Sequence, residues 1–288
     1  MLSVKEEELI KILPKDGPSV KEVKKYLDKY NDEFIVIKCG GSVLIDSNLF
    51  NIFIQDIAVL NKLGFNPVIV HGGGKRINRK LSEFNIKSNF IKGLRITDKD
   101  TIKIVEDVLI YFNKEIVDAL KNLSCNAKKI TTKENNVISV RQENKYLGFV
   151  GTPTKINKDI INKAIQSNEV PVIAPLGLDK NNQTFNINAD TAAGAIAKDL
   201  KARRLMIISD VEGLLDNDKK LIPEINSTQA KDLIDQKVIS GGMIPKINNC
   251  LDVARNGVKG VVIIDGRKNH SILFELLSDR GSGTLIRE

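Results

Sequence analysis

Phe34-Ile35-Val36-Ile37-Lys38-Cys39-Gly40-Gly41-Ser42 passes within a few residues from an unbroken apolar run to a lysine and a pair of glycines. The run reads as a strand that hands over to a helix through a polar turn. The pattern recurs at His71-Gly72-Gly73-Gly74-Lys75, behind Pro67-Val68-Ile69-Val70, and again at Gly241-Gly242-Met243-Ile244-Pro245-Lys246. Each is expected where an apolar strand meets a helix. A glycine turn that opens a helix presents backbone N–H groups beside the positive end of the helix dipole, which suits phosphate oxygens. Two such turns point to a polyphosphate. Lys38 beside the first turn and Lys246 beside the last point further, to a phosphoryl group that is moved, because flexible ammonium groups can follow the charge that spreads over it. No Gly-x-x-x-x-Gly-Lys-Ser/Thr string occurs, and the second turn lacks Gly-x-Gly-x-x-Gly spacing, so neither a Walker loop nor a dinucleotide fingerprint is present.

Outward from these turns, short apolar runs alternate with longer segments of helical period, the pattern of an α/β protein with a mainly parallel sheet. Strands are expected at Phe34 to Ile37, Pro67 to Val70, Val137 to Val140, Val170 to Ala174, Arg204 to Ser209 and Gly260 to Ile264. Helices are clearest at Asn48 to Lys62 and Asp100 to Leu120, the second with cap residues in Thr97-Asp98-Lys99-Asp100. Sheets of this kind bind ligands beyond the carboxyl ends of their strands, where the first two glycine turns fall. A further block, Asn186-Ile187-Asn188-Ala189-Asp190, precedes small residues and the run Leu205 to Ser209. Asp190 at a helix start is favoured by capping and dipole alone. Those forces do not account for the asparagines that bracket it.

The chain has 288 residues and is 42% hydrophobic, enough to bury one large core or two lobes. No window approaches the roughly 20 apolar residues that cross a bilayer, and the first residues mix both charges, so a soluble cytoplasmic protein is expected, with no membrane partner. Cys39, Cys125 and Cys250 are widely separated and lack Cys-x-x-Cys spacing, which argues against disulfides and zinc. Cys39 is read as packing. The net charge of +8 comes from lysines scattered along the chain, without aromatic platforms, so small anionic substrates are favoured over nucleic acid. Residues 1–30 stand apart: Val20, Val23, Tyr26 and Leu27 form an apolar stripe with no obvious place in a core that begins at Phe34. Such a stripe either finds another subunit or folds back on its own domain.

Taken in order, these motifs resemble the amino acid kinase family and, within it, the N-acetylglutamate kinases of arginine biosynthesis. The resemblance runs from about Phe34 to the C-terminus and includes Gly93-Leu94-Arg95-Ile96-Thr97-Asp98, Gly148-Phe149-Val150-Gly151 and Ser209-Asp210-Val211-Glu212-Gly213-Leu214. It implies a three-layer αβα sandwich with an added N-terminal helix. Residues 1–30 would be an extension for oligomerisation and regulation, 31–188 a lobe for acetylglutamate and dimerisation, and 189–288 a lobe for ATP. It also implies transfer of the γ-phosphoryl group of ATP to the side-chain carboxylate of N-acetyl-L-glutamate. That acceptor is already ionised at neutral pH, so no general base is required.

Carried over residue by residue, the resemblance makes Lys38 and Lys246 the stabilisers of the transferring group, with Asp190 holding both ammonium groups. Gly40 and Gly41 would serve the nucleotide phosphates, with Gly73, Gly74, Arg95 and Asn186 serving the acceptor. Asp210, Val211, Glu212, Gly213, Leu214 and Leu215, then Val238, Ile239 and Ser240, would contact the nucleotide. Mg2+ would be held by phosphates and water, with no cage of protein ligands. His71 is read as orienting its loop. Many relatives carry an aromatic residue or leucine at Cys39 and a proline at Lys75, which bears on affinity and turn rigidity. The N-terminal helix with Tyr26, and His270, Glu275 and Gly283 near the C-terminus, resemble the arginine-inhibited members. They imply a hexamer of interlaced dimers with L-arginine as inhibitor; docking of a nitrogen-sensing PII protein stays open. The competing readings are an N-acetyl-aminoadipate kinase of lysine biosynthesis and a nucleotide-binding regulator without turnover. The pocket depth that separates the two acceptors is not legible in sequence.

Overall fold

In the computed structural model, which describes residues 6–288, the apolar runs assemble into one eight-stranded sheet. Its strands are β1 (Phe34–Cys39), β2 (Asn66–His71), β3 (Ala127–Ile130), β4 (Val170–Ile173), β5 (Arg204–Ser209), β6 (Glu224–Ile225), β7 (Val261–Asp265) and β8 (Gly283–Ile286). They lie in the order β6-β8-β7-β5-β1-β2-β4-β3. Every neighbouring pair is parallel except β7 with β8.

Side chains alternate across this sheet, and both sides are apolar. Ile35, Ile37, Ile69, Met206 and Ile264 enter one core, while Val36, Val68, Val70, Ile207 and Ile263 enter the other. A parallel sheet buried on both faces needs a helical layer on each. The first layer comprises α1 (Glu6–Ile12), α2 (Val20–Tyr30), α3 (Ser47–Lys62), α5 (Lys99–Asn122) and α10 (Ser271–Leu277). The second comprises α6 (Lys158–Gln166), α7 (Ala189–Asp199), α8 (Ser227–Asp235) and α9 (Met243–Arg255). Helix α4 (Gly74–Glu83) packs on α5 through Ile77, Leu81, Val105 and Leu109. The result is the expected αβα sandwich. Asp46 caps α3 and Asp98 caps α5, each accepting two backbone N–H groups.

Three expectations are corrected. The stripe of the N-terminal segment does have a place in this chain's core: Val23, Leu27 and Tyr30 of α2 are buried, and Leu9 of α1 with them. Helix α2, begun by a Ser19–Glu22 capping box, covers apolar surface near α10. Burying a valine and a leucine contributes roughly 1.5–3 kcal/mol each relative to leaving them exposed. Residues 1–5 of that segment lie outside the described residues. Second, the turn at Gly241-Gly242 follows α8 and a short loop, so no strand precedes it. Third, the run from Val137 is a strand at Ile138–Gln142, but it joins a separate four-stranded sheet with Gly151–Ile156, Leu176–Leu178 and Thr184–Asn186. That small sheet delivers Asn186 toward the main one.

The topology fixes where a ligand can sit. Strands β1 to β4 come from the first part of the chain and β5 to β8 from the second, and the two sets meet where Lys38 of β1 lies beside Ile207 of β5. Between β1 and β2 the chain crosses by α3 on one face, while β5 is entered from α7 on the other. Such a reversal opens a crevice at the carboxyl ends of the central strands.

Candidate active site

Three carboxyl ends converge at that crevice: Lys38-Cys39-Gly40-Gly41 after β1, His71-Gly72-Gly73 after β2, and Ser209-Asp210 closing β5. The first two turns are tied directly, Gly72 N–H donating to Cys39 O at 2.7 Å. His71 is fully buried behind them. Its Nδ1–H donates to Gly72 O at 3.0 Å while Nε2 accepts from Asn113 Nδ2 at 3.1 Å, and Asn113 is itself anchored on Val172 O. Burial pushes this imidazole down to about 4, so it is neutral and orients the loop, as expected from the sequence. Cys39 is buried with its thiol pushed up, by burial, out of nucleophilic reach, which fits a packing residue.

A cleft of about 290 Å³ opens beyond these turns, with Lys38, Gly40, Gly73, Arg95, Asn186 and Asp190 in its walls. Gly41 and Gly74 line it too. Lys38 Nζ lies 2.9 Å from Asp190 Oδ1. Asp190 occupies the first turn of α7, whose cap is Asn188: Asn188 Oδ1 accepts from Asp190 N and Thr191 N, which accounts for one of the two bracketing asparagines. Burial opposes ionisation of Asp190, yet the charges of Lys38 and then Lys246 outweigh it and hold the carboxyl below the usual range. Lys246, in the first turns of α9, is not in direct contact with Asp190; its Nζ donates to Ser209 Oγ at 3.2 Å. Sequence reasoning had not singled out Ser209, although it opens the Ser-Asp-Val-Glu-Gly run.

Elsewhere along the cleft, Phe90–Ile91 and Leu94–Arg95 form a hairpin through Lys92-Gly93, both at positive φ. Arg95 lies directly across from Phe90, and its guanidinium sits 4.7 Å from that ring's centroid. The head donates to Ser88 Oγ and to Gly74 O, and Arg95 is only 6% exposed. Among the described residues none of its partners is a carboxylate. Burial alone lowers its pKa, as for a cation without a counter-charge. Asn186 reaches the same cleft, with Nδ2 3.5 Å from Thr97 Oγ1 and its N–H on Phe149 O. Thr97 bridges to Gly148, which holds φ +71 and has no room for a side chain against Thr97 O.

Of the nucleotide assignments, Gly40 and Gly41 line this cleft, whereas Asp210 to Leu215 and Val238 to Ser240 are not in its walls. Asp210 Oδ1 accepts the Ser42 N–H at 2.7 Å, and Gly41, at φ +66, lies so close to that carboxylate that a Cβ would collide with it. Asp210 is held below the usual carboxylate range because, against its burial, it accepts from Ser42 and faces Lys75. Glu212 pairs with Lys268 at 3.2 Å, and Leu214 N–H donates to Thr284 Oγ1. Val211 and Leu215 are partly exposed, and Gly213 holds φ +143 beside Thr284. Val238, Ile239 and Ser240 lead into the turn before α9. Among the described residues no cluster of three or more His, Cys, Asp or Glu side chains is placed to hold a metal ion.

The residues assigned to arginine are only partly together. Tyr26 OH donates to Asp279 just beyond α10, and Lys25 pairs with the same carboxylate. Glu275 accepts from Ser282 N at 2.8 Å, its pKa raised by burial. Gly283 is a β8 residue opposite Ile264. His270 is engaged elsewhere, between Asp56 Oδ1 at 2.6 Å and Asp16 Oδ1 at 3.1 Å.

Residues 33–265 match the model of the amino acid kinase family. The chain is 77% identical over 288 residues to the acetylglutamate kinase of Pelagibacter ubique, with all of both chains covered. It is 45% identical over 265 residues to that of Campylobacter fetus, covering 91% of this chain and 94% of the relative. Among solved structures, N-acetylglutamate synthase from Neisseria gonorrhoeae, in complex with coenzyme A and N-acetyl-glutamate, has a TM-score of 0.84 at 21% identity. That alignment covers 93% of this chain and 62% of the synthase, and it speaks to the fold. Among the described residues no helix is long and apolar enough to cross a membrane.

Proposed function

This chain belongs to the amino acid kinase family, and from that premise we propose that it transfers the γ-phosphoryl group of ATP to the side-chain carboxylate of N-acetyl-L-glutamate. The observation that carries the reading is Arg95. A guanidinium this buried, with no carboxylate partner among the described residues, lines the same cleft as the Lys38–Asp190 pair. Its fork suits the α-carboxylate of the acceptor, and its separation from Lys38 by glycine turns leaves room for the acceptor's other carboxylate to approach the phosphoryl group.

The chemistry then asks for alignment and charge neutralisation. An oxygen of the acceptor carboxylate attacks the γ-phosphorus, the bond to the β-bridging oxygen breaks, and ADP leaves. Lys38 and Lys246 stabilise the charge on the transferring group, and Asp190 keeps both ammonium groups near that line. Gly40 and Gly41 offer N–H groups to the nucleotide, and Gly73 and Gly74 to the acceptor, with Asn186 as a side-chain donor. Asp210 to Leu215 and Val238 to Ser240 hold the nucleotide in the second lobe. Asp190 is committed to Lys38, and no cluster of three or more acidic, His or Cys side chains lies among the described residues, so Mg2+ fits as an ion carried by phosphate oxygens and water. When bound it neutralises phosphate charge.

Residues 31–188 form the acceptor and dimer lobe in this reading, and 189–288 the ATP lobe. The assembly is a hexamer, a trimer of dimers, inhibited by L-arginine. Support for arginine comes from α10 packing on α2, which brings the Glu275 carboxylate and Tyr26 onto neighbouring helices.

ADP release with Mg-ATP is the test, with N-acetylglutamate and N-acetyl-aminoadipate as parallel acceptors. A higher kcat/KM for acetylglutamate is expected. Preference for the longer acceptor, or no ADP release with either, overturns the assignment.

A further inference from the structure

The cleft has a third lysine that the roles above leave unused. Lys75 stands in the first turn of α4, on the second glycine turn, and lines the cleft together with Lys38. Its Nζ lies 3.5 Å from Asp210 Oδ2 and 3.4 Å from Ser42 Oγ. Through this one ammonium group the second glycine turn, the first glycine turn and the loop after β5 are stitched together. Asp210 completes the stitch, because its other oxygen accepts the Ser42 N–H.

Two features make this contact one that a ligand takes over. First, the Asp210 carboxylate sits on the donors that a phosphate would use: a backbone N–H of a glycine turn and a lysine. Second, the pair is weak. Both side chains are well exposed, 54% for Lys75 and 38% for Asp210, and a long ion contact in water contributes little, so little is lost when it breaks. A polyphosphate brings more charge to the same donors than one carboxylate does. Lys38 differs on both counts, being largely buried and tightly paired to Asp190.

Resting on the kinase reading above, we infer that Lys75 is a further phosphate-directed cation: it is parked on Asp210 in the nucleotide-free chain and transfers to the phosphate oxygens of ATP when the nucleotide enters. It thereby couples nucleotide arrival to release of the loop after β5 from the second glycine turn. Lys75 acts on nucleotide binding, whereas Lys38 acts at the reacting group.

Calorimetry of Lys75→Met with AMP and with a non-hydrolysable ATP analogue tests this, alongside steady-state kinetics. The analogue should bind about tenfold more weakly than to the wild type, as for loss of one charge-assisted contact, with AMP affinity unchanged. KM for ATP should rise by a similar factor while KM for acetylglutamate stays within about twofold, and Lys75→Arg should restore most of the loss. Equal weakening of AMP and the analogue, no weakening of either, or a rise confined to KM for acetylglutamate overturns the inference. A wild-type chain that binds neither nucleotide and releases no ADP overturns the kinase reading instead.

Discussion

Asp190 shows how single side chains divide the work. Its carboxylate pairs with Lys38 and lies within the field of Lys246, which is steered by Ser209. Lys246→Met removes a charge that matters most while the phosphoryl group is in flight, so kcat should fall on the order of 10²–10³-fold with a smaller change in nucleotide affinity. A variant retaining more than about half of wild-type kcat would remove Lys246 from the reaction. Lys38→Met should lose kcat similarly, but it also leaves the Asp190 carboxylate without its direct partner, so its melting temperature must be measured alongside. Arg95→Lys should raise KM for acetylglutamate far more than KM for ATP, since a point charge cannot replace a fork. Proportionate rises in both would mean a folding defect. His71 sets a pH dependence. Its folded pKa of about 4 lies below the ordinary 6.5, so the folded state binds this proton less readily than the unfolded one. The stability it contributes is full above the unfolded value and drains as pH falls toward 4, by up to about 3 kcal/mol. Melting temperature across that window should fall more steeply for the wild type than for His71→Gln; parallel curves would show that the imidazole does not titrate this way.

At the scale of elements, the acceptor wall depends on a short bridge. Thr97 meets Gly148, and Val150 meets Asn186, so the strand carrying Asn186 is located by a glycine at φ +71 that has no space for a Cβ. Gly148→Ala should cost about 1–3 kcal/mol in stability and raise KM for acetylglutamate with little effect on KM for ATP. An unchanged acceptor KM would separate this bridge from the site. Elements also show what a linear reading can see. The long helices were legible because their apolar period and caps are local, as Asp98 before α5 shows. The strand β3, with two lysines in Ala127–Ile130, and β8, a four-residue piece beginning with glycine, carry no strong period and owe their form to pairing, β3 with β4 and β8 with β6 and β7. The third glycine turn looked like the first two in composition, yet a helix precedes it, because composition does not say what the chain did before the turn.

For the whole molecule, the proposed hexamer and its arginine control must be tested on the intact chain. Removing residues 1–30 would strip Leu9, Val23, Leu27 and Tyr30 from the core and confuse instability with loss of regulation. The full-length chain should scatter light as a hexamer, and L-arginine should inhibit it; Tyr26→Ala should raise the half-inhibitory concentration about tenfold if the ring closes the site. An intact enzyme indifferent to arginine would refute the control.

The sequence by itself determined the alternation of strands and helices and the glycine turns with Lys38 and Lys246 beside them, because apolar period, backbone freedom and charge are properties of neighbouring residues. Asp190 and Arg95 became candidates through the resemblance of their motifs to a family. Tertiary structure alone decided that α2 covers its own chain's core, that Arg95 is buried in the cleft that Lys38 lines, that Lys246 donates to Ser209, and that Lys75 meets Asp210. These are contacts between segments far apart in the chain. They arise when the two halves of the sheet join along β1 and β5, and no local pattern encodes which side chains that junction brings together.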